Sequence, residues 1–375
     1  MSASPELLIT GGGTGGHVSP GLGVAAVWQA RHGAGSAAWV GRHEGVEQEM
    51  AERAGLAFHG LDSAAFKRQW TLNNLAIPGV LLKGLRQGTE LIRARRPSAV
   101  LMTGGYVGLP LSLAALRERV PLVLLEPNAV PGLANRLLKP LAAKLCLAYP
   151  PAAPDPKCEV TGTPCRPLAA HAKAAARASL GLDPDKRTLL VLPGSQAARA
   201  INAALRDSLE PLADRAGQWQ WIWMGGTAEM MANEAAAARS GLTIQVRGFI
   251  QDVALAYAAC DLVLCRSGAS TLAELGLLGL PSLQVPYPHA TGDHQRANAG
   301  AFAEAGAARM LDPDSLTPAS LQAALRALLD DPAQLAGMAA AAKGLGKPDA
   351  AEKVADQLEL AAGLKAPATG DAHAQ

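Results

Sequence analysis

Leu7-Leu8-Ile9-Thr10-Gly11-Gly12-Gly13-Thr14-Gly15-Gly16-His17 is a short apolar run that passes straight into a glycine loop. The run has the length and composition of a buried strand. Glycines let backbone N–H groups close on an anion, and a helix beginning just beyond adds the positive end of its dipole. Strand, ligand-facing loop and helix form the repeating unit of a parallel α/β sheet. Outward from this unit, strand-like runs follow at 37–40, 99–103, 122–126 and 144–148, with helical patterns at 21–31 and 75–95. A proline-rich break, Tyr149-Pro150-Pro151-Ala152-Ala153-Pro154-Asp155-Pro156, leads through 159–161 into the turn Gly162-Thr163-Pro164-Cys165-Arg166-Pro167. The alternation then resumes, with strands at 188–192, 219–224, 243–246, 262–265 and 282–285 and helices at 199–212, 271–278, 294–305 and 350–362. The expected fold class is α/β, with two Rossmann-like domains facing a central cleft. The domains are expected at 1–163 and 164–362, with a disordered tail at 363–375. The last helix is allowed to pack back on the first domain.

The bulk properties agree with two domains. The 375 residues are 49% hydrophobic and 18% charged, the balance of a soluble globular chain, and only 4% aromatic, so the core is built from small and aliphatic side chains. A net charge of +2 gives no argument for a nucleic-acid partner. The five cysteines form no CxxC pair, which speaks against a metal or disulfide framework and for a reducing cytoplasm. The start lacks a charged leader. The uncharged stretch 99–116 reads as strand, glycine loop and helix start, so membrane contact is expected to be peripheral. Lys67, Arg68, Lys83, Arg86, Arg93, Arg95 and Arg96 stand against one acid, Glu90. This run is either a solvated helix face or a surface that meets anionic lipid.

Four glycine-rich turns follow strands: the first loop, Gly104-Gly105-Tyr106-Val107-Gly108, Gly194-Ser195-Gln196, and Arg266-Ser267-Gly268-Ala269-Ser270-Thr271. Together they suggest several bound phosphates or polyols. The frame 11–16 satisfies GxGxxG, but the acidic residue of a dinucleotide site is missing where the second strand ends in Val40-Gly41-Arg42. His17 is either a capping or packing histidine or a base beside a phosphate-lined cleft. Glu274 is either a helix-start carboxylate or an acceptor for two neighbouring ribose hydroxyls. Asp293-His294-Gln295 opens another helix. No DxD pair stands on a strand end and no ligand cluster has metal spacing, so neither metal nor cofactor is expected. Asp183 and Asp185 read as a structural turn. Phosphate charge would be met by helix ends and Arg166.

The ordered set of these motifs resembles the MurG family, glycosyltransferases of the two-domain GT-B fold. It includes the loop from Gly12 to His17, Gly104-Gly105-Tyr106, and Glu126 and Asn128 before Gly132-Leu133-Ala134-Asn135. It continues through Arg166, Gly194-Ser195-Gln196, Phe249-Ile250 before Asp252, Arg266-Ser267-Gly268-Ala269 leading to Glu274, and Pro286-Tyr287-Pro288 leading to Asp293-His294-Gln295 and Asn298. The resemblance implies inverting transfer of N-acetylglucosamine from UDP-N-acetylglucosamine to undecaprenyl-pyrophosphoryl-N-acetylmuramyl-pentapeptide, the step from lipid I to lipid II. It implies that the first domain faces acceptor and membrane and the second binds the UDP-sugar. Thr14, Gly15, Gly16 and Asn128 would approach the transferred sugar and acceptor, with Gly104, Gly105 and Tyr106 on the acceptor side and His17 as the catalytic base. Arg166 and Ser195 would hold the UDP phosphates, and the Ile250 backbone would read uracil. The helix start from Ala269, Ser270 and Thr271 through Leu272 and Ala273 would offer N–H groups. Glu274 would hold the ribose and Gln295 the sugar hydroxyls. Implied partners are an anionic membrane surface at the cytoplasmic face of the inner membrane and cell-wall and division proteins. Leu125, Pro127 and Ala197 depart from the family's usual His, Gln and Gly. The rival readings are a UDP-N-acetylglucosamine 2-epimerase, a nicotinamide-dependent reductase and a non-catalytic UDP-sugar-binding scaffold.

Overall fold

The computed structural model describes residues 4–63, 77–194 and 199–364. Phe66, Lys67, Arg68, Trp70, Ser195, Gln196, Ala197 and the tail from 365 lie outside the described residues. The chain divides into two compact units, Met1–Arg166 together with the part from Lys347 onward, and Pro167–Gly346.

The first unit is built on seven parallel strands: β1 (Leu7–Thr10), β2 (Ala37–Arg42), β3 (Ala57–Leu61), β4 (Ala99–Met102), β5 (Leu122–Glu126), β6 (Lys144–Leu147) and β7 (Cys158–Val160). Their order is β3-β2-β1-β4-β5-β6-β7, with Leu7 in register with both Ala37 and Ala99. Successive side chains alternate between faces, so a strand covered on both sides must be apolar throughout. Leu7, Ile9, Trp39, Leu101 and Val123 pack under α1 (Gly15–His32), α2 (Val46–Arg53) and the chain's last helix, α14 (Ala350–Ala361), through Val24, Trp28, Ala51, Val354 and Leu358. Leu8, Val40, Val100, Met102 and Leu124 pack under α3 (Ile77–Arg95), α4 (Leu109–Arg117) and α5 (Leu133–Leu138), through Ile92, Leu111, Ala114 and Leu138.

The second unit has six parallel strands: β8 (Arg187–Leu192), β9 (Trp219–Met224), β10 (Thr243–Arg247), β11 (Leu262–Cys265), β12 (Ser282–Gln284) and β13 (Ala308–Met310), in the order β10-β9-β8-β11-β12-β13. Its helices are α6 (Lys173–Ser179), α7 (Arg199–Arg206), α8 (Met230–Arg239), α9 (Val253–Ala259), α10 (Ala269–Leu278), α11 (His294–Glu304), α12 (Pro318–Leu329) and α13 (Pro332–Leu345). Trp219, Trp221 and Trp223 fill one face with Ile201, Leu205 and Leu325. Leu190, Ile222 and Val263 fill the other with Tyr257, Leu272, Leu275 and Phe302. In both sheets the winding reverses between adjacent strands, β1/β4 and β8/β11. The crevice outside the carboxyl ends of such a pair is where open α/β sheets bind ligands.

Several boundaries differ from the sequence reading. Helix α1 starts at Gly15 rather than after Pro20, which sits inside it and has no N–H to give to the preceding turn. The helix expected over 199–212 stops at Arg206, where the Ser208 hydroxyl donates to the Ala204 carbonyl and Pro211 opens a 3-10 turn. Strands β3 and β13, on or near sheet edges, were not read from sequence. The first unit runs past 163 because its turn is tied in: Thr161 and Gly162 N–H donate to the Leu147 carbonyl and the Thr163 hydroxyl to that of Pro127. Arg166 is therefore the last residue before the break. Gly363 and Leu364, expected in the tail, close α14 instead. Gly363 has φ +69°, and the two N–H groups return to Leu360 and Glu359 carbonyls, the pattern of a left-handed helix cap. Among the described residues no helix is long and apolar enough to cross a membrane.

Candidate functional site

The loops after β1, β4 and β5 leave three neighbouring strands of the first unit. After β1, the Gly12 N–H donates to the Gly104 carbonyl at 3.4 Å, which joins the first two glycine loops. The Gly13 N–H donates to Oε2 of Glu47 at 3.4 Å, and the Arg42 N–H donates to Oε1 at 3.0 Å. Glu47 is 1% exposed, and a Cβ on Gly12 would stand 2.7 Å from its carboxyl carbon. A buried carboxylate therefore supports the loop from beneath. Thr14 is the N-cap of α1 with extended backbone and makes no capping bond through its side chain. Gly15 and Gly16 form the first helical positions, and Thr14 and Gly16 are exposed.

His17 faces the second loop. Its Nδ1 lies 3.2 Å from the Thr103 carbonyl oxygen. A carbonyl only accepts, so Nδ1 carries the hydrogen and the basic lone pair is on Nε2. Gly104 has φ +104°, and a Cβ there would sit 2.8 Å from His17 Nδ1, so only glycine lets the loop approach the ring. Tyr106 opens a short 3-10 turn beside Gly13. Thr14, Gly15, Gly16, His17, Gly104, Gly105 and Tyr106 are thus brought together.

Asn128 belongs to the loop after β5, organised by Glu126. This carboxylate is 2% exposed. Oε1 accepts from the Asn128 N–H at 3.1 Å and its Nδ2 at 3.0 Å. Oε2 accepts from the Gly132 N–H at 2.8 Å and Asn135 Nδ2 at 2.9 Å. Arg166 is exposed at the end of the unit.

In the second unit, Gly194 follows β8 and Ser195 lies outside the described residues. Ile250, half-buried after β10, packs on the core, and Asp252 caps α9 by accepting the Leu255 N–H at 3.0 Å. After β11, Gly268 is the N-cap of α10 and, as a glycine, supplies no capping side chain. Ser270, Thr271 and Ala273 are half-buried and Leu272 is in the core. Glu274, 8% exposed, accepts from the Tyr257 hydroxyl at 2.9 Å. Asn298, fully buried, donates to the Ser267 carbonyl at 3.1 Å. Arg266 donates to the carbonyls of Val285 and Pro286 at 3.0 and 2.7 Å and lies over the Tyr287 ring, and burial lowers its pKa. Gln295 Oε1 accepts the Tyr287 N–H at 2.9 Å. These contacts tie the loops after β11 and β12 to each other.

A model of the glycosyltransferase family 28 N-terminal domain matches residues 7–146, and one of the C-terminal domain of that family matches 188–354. The UDP-N-acetylglucosamine–N-acetylmuramyl-(pentapeptide) pyrophosphoryl-undecaprenol N-acetylglucosamine transferase of Desulforudis audaxviator is 38% identical over 368 residues, covering 96% of this chain and 99% of the relative. The chain belongs to the MurG family of glycosyltransferases. The crystal structure of Acinetobacter baumannii MurG superposes with a TM-score of 0.75 at 29% identity, over 95% of this chain and 100% of that one. A UDP-N-acetylglucosamine 2-epimerase from Listeria monocytogenes reaches 0.67 at 17% identity, over 95% and 96%, a likeness of fold alone.

Glu47 and Tyr257, the partners beneath two MurG-family motifs, were missed from sequence. Glu47 left one faint trace, glycines at 41 and 45 on either side of its own strand-to-helix turn. Tyr257 left none. Asp183 makes its turn, accepting the Asp185 N–H at 2.9 Å. The cysteines are free, and burial pushes the Cys146 and Cys265 thiols up to about 12.

Proposed function

We propose that the chain transfers N-acetylglucosamine from UDP-N-acetylglucosamine to N-acetylmuramyl-(pentapeptide) pyrophosphoryl-undecaprenol, with inversion at the anomeric carbon. What carries the reading is the likeness along 96% of the chain to a relative named for that transfer. In the proposed step the acceptor hydroxyl attacks the anomeric carbon as its bond to UDP breaks, and the hydroxyl proton passes to Nε2 of His17. The Thr103 carbonyl holds His17 in the tautomer this needs.

Thr14, Gly15, Gly16 and Asn128 approach the sugar and acceptor, with Gly104, Gly105 and Tyr106 on the acceptor side. Arg166, Ser195 and the N–H groups at Ala269, Ser270 and Thr271, continued by Leu272 and Ala273, meet the leaving diphosphate, where preorganised donors act most strongly on developing charge. The Ile250 backbone reads uracil and Glu274 holds the ribose. Gln295, whose oxygen is engaged by Tyr287, donates its amide to the sugar. The chain works peripherally at the cytoplasmic face of the inner membrane, where its acceptor resides, alongside cell-wall and division proteins.

The test is transfer of labelled N-acetylglucosamine to a short-chain lipid-linked muramyl-pentapeptide. Glu274→Ala is expected to raise the donor KM by about tenfold to a hundredfold, the loss of hydrogen bonds to a charged acceptor. Consumption of UDP-N-acetylglucosamine without acceptor, and no labelled lipid, would favour an epimerase instead.

A further inference from the structure

Glu274 is held from a neighbouring helix. Tyr257 on α9 is 1% exposed and its hydroxyl donates to Oε2 of Glu274 on α10. The tyrosine ring sits in the apolar cluster with Leu272 and Leu275 of α10, so it cannot swing away. Burial, reinforced by the adjacent carboxylate, pushes the Tyr257 pKa far above the usual phenol range. The hydroxyl therefore keeps its proton and acts as a donor.

Two considerations give this bond a direction. A buried tyrosine hydroxyl needs one partner, and any backbone carbonyl would serve. A buried carboxylate is a far more expensive group, so satisfying a phenol does not explain its presence. A glutamate on a helix also has three side-chain torsions to fix, and a donor at one oxygen fixes the carboxylate plane. Helix α9 begins directly after Ile250 and Gln251, capped by Asp252. One hydrogen bond thus joins the helix that follows the segment assigned to the base to the helix that carries the residue assigned to the ribose.

We propose that Tyr257 is a positioning residue for nucleotide recognition: by holding Oε2 it aims the Glu274 carboxylate at the ribose diol and couples that contact to the segment at Ile250. The inference rests on the assignment of Glu274 to the ribose. A single uridine contact becomes a cooperative pair, and the preference for a ribose over a 2′-deoxyribose donor depends on a residue that touches neither.

The test uses the full-length enzyme with Tyr257→Phe, Glu274→Gln and the double variant, assayed with UDP-N-acetylglucosamine and its 2′-deoxyuridine analogue. Tyr257→Phe is expected to raise KM for the natural donor about tenfold, as loss of a charge-assisted hydrogen bond does. It should leave kcat within about twofold and shrink the ribose preference. The double variant should be no worse than Glu274→Gln alone, because the two act as a unit. If Glu274→Gln keeps the full ribose preference, the ribose assignment fails and the inference falls with it. If Glu274→Gln abolishes the preference and Tyr257→Phe retains it, the assignment stands and the positioning role is overturned. An equal loss with both donors in Tyr257→Phe, tracking a lowered Tm, likewise overturns it in favour of packing alone.

Discussion

Glu126 and His17 show what a single side chain can and cannot reveal in a sequence. In the sequence Glu126 stands as one member of the motif that runs through Asn128 to Asn135. In the fold both its oxygens face inward and accept four N–H bonds from Asn128, Gly132 and Asn135. Its work is to shape the loop after β5. Glu126→Ala strands the buried Asn135 amide, at about 1–3 kcal/mol, and frees three part-buried donors at less each, so the variant should lose about 3 kcal/mol of unfolding free energy in a denaturant titration. A loss under about 1 kcal/mol would mean that water replaces the carboxylate without penalty. His17→Ala should do the opposite: a small change in stability and a turnover lower by about 10²–10⁴-fold, with donor KM nearly unchanged. Near-normal turnover would leave His17 a packing residue. The glycines, His17 and Glu274 could be singled out as candidates because a glycine loop followed by an ionisable side chain early in a helix is a local pattern. Glu47 and Tyr257 could not, because each acts on a residue distant in sequence, Gly13 and Glu274, through one side-chain bond.

At the scale of elements, strands were more legible than helix ends. A strand covered on both faces writes itself as an uninterrupted apolar run, as at 122–125 and Leu262–Cys265. Helices were misplaced where the local rules conflict with packing, as at α1, whose first turn is glycine and which carries Pro20. The late helix was legible as a helix, and its return to the first unit was allowed for without a residue-level reason. What attaches it lies across the chain: Glu359, fully buried, accepts from Arg31 at 3.1 Å and from His32 at 2.9 Å, and Arg31 also pairs with Asp356 at 2.7 Å. Removing the Glu359 carboxylate takes an acceptor from Arg31 and His32 while Arg31 keeps Asp356, a loss of about 1–3 kcal/mol. Glu359→Ala should therefore lower the Tm and strip hydrogen-exchange protection from residues 350–361 before the sheet of the first unit opens. Protection of that helix equal to wild type would show that Val354 and Leu358 hold it by apolar contact alone.

For the whole molecule the open question is how an enzyme without a spanning helix among its described residues reaches a lipid-linked acceptor. The basic run from 67 to 96 suggested an electrostatic surface, but its described cations are largely engaged. Lys83 pairs with Asp62 at 2.9 Å, Arg86 with Glu90 at 3.1 Å, Arg93 with Glu118 at 2.9 Å, and Arg95 with Glu6. Such pairing neutralises much of the field that would draw anionic headgroups. Apolar exposure is distributed differently. Leu82 on α3, Leu113 on α4, and Leu133, Leu137 and Leu141 on or just beyond α5 are 67%, 40%, 65%, 66% and 63% exposed. These three helices cover the same face of the first sheet. Leu133 and Leu137, four residues apart on α5, share one side of that helix, with exposed Leu141 in the turn just beyond and exposed Arg136 beside them. If these leucines meet a bilayer, they would do so by apolar insertion, aided only modestly by charge. Half-burying a leucine contributes about 1 kcal/mol, so three contribute about 3 kcal/mol. Leu133→Ser, Leu137→Ser, Leu141→Ser should therefore weaken vesicle co-sedimentation about a hundredfold. Lys83→Glu, Arg86→Glu should weaken it far less, with only mild dependence on anionic lipid content. The leucine variant should keep its turnover on a short-chain acceptor in solution, since none of the three leucines is among the residues of the proposed site. Wild-type vesicle binding by the leucine variant would return the docking role to the basic run from 67 to 96.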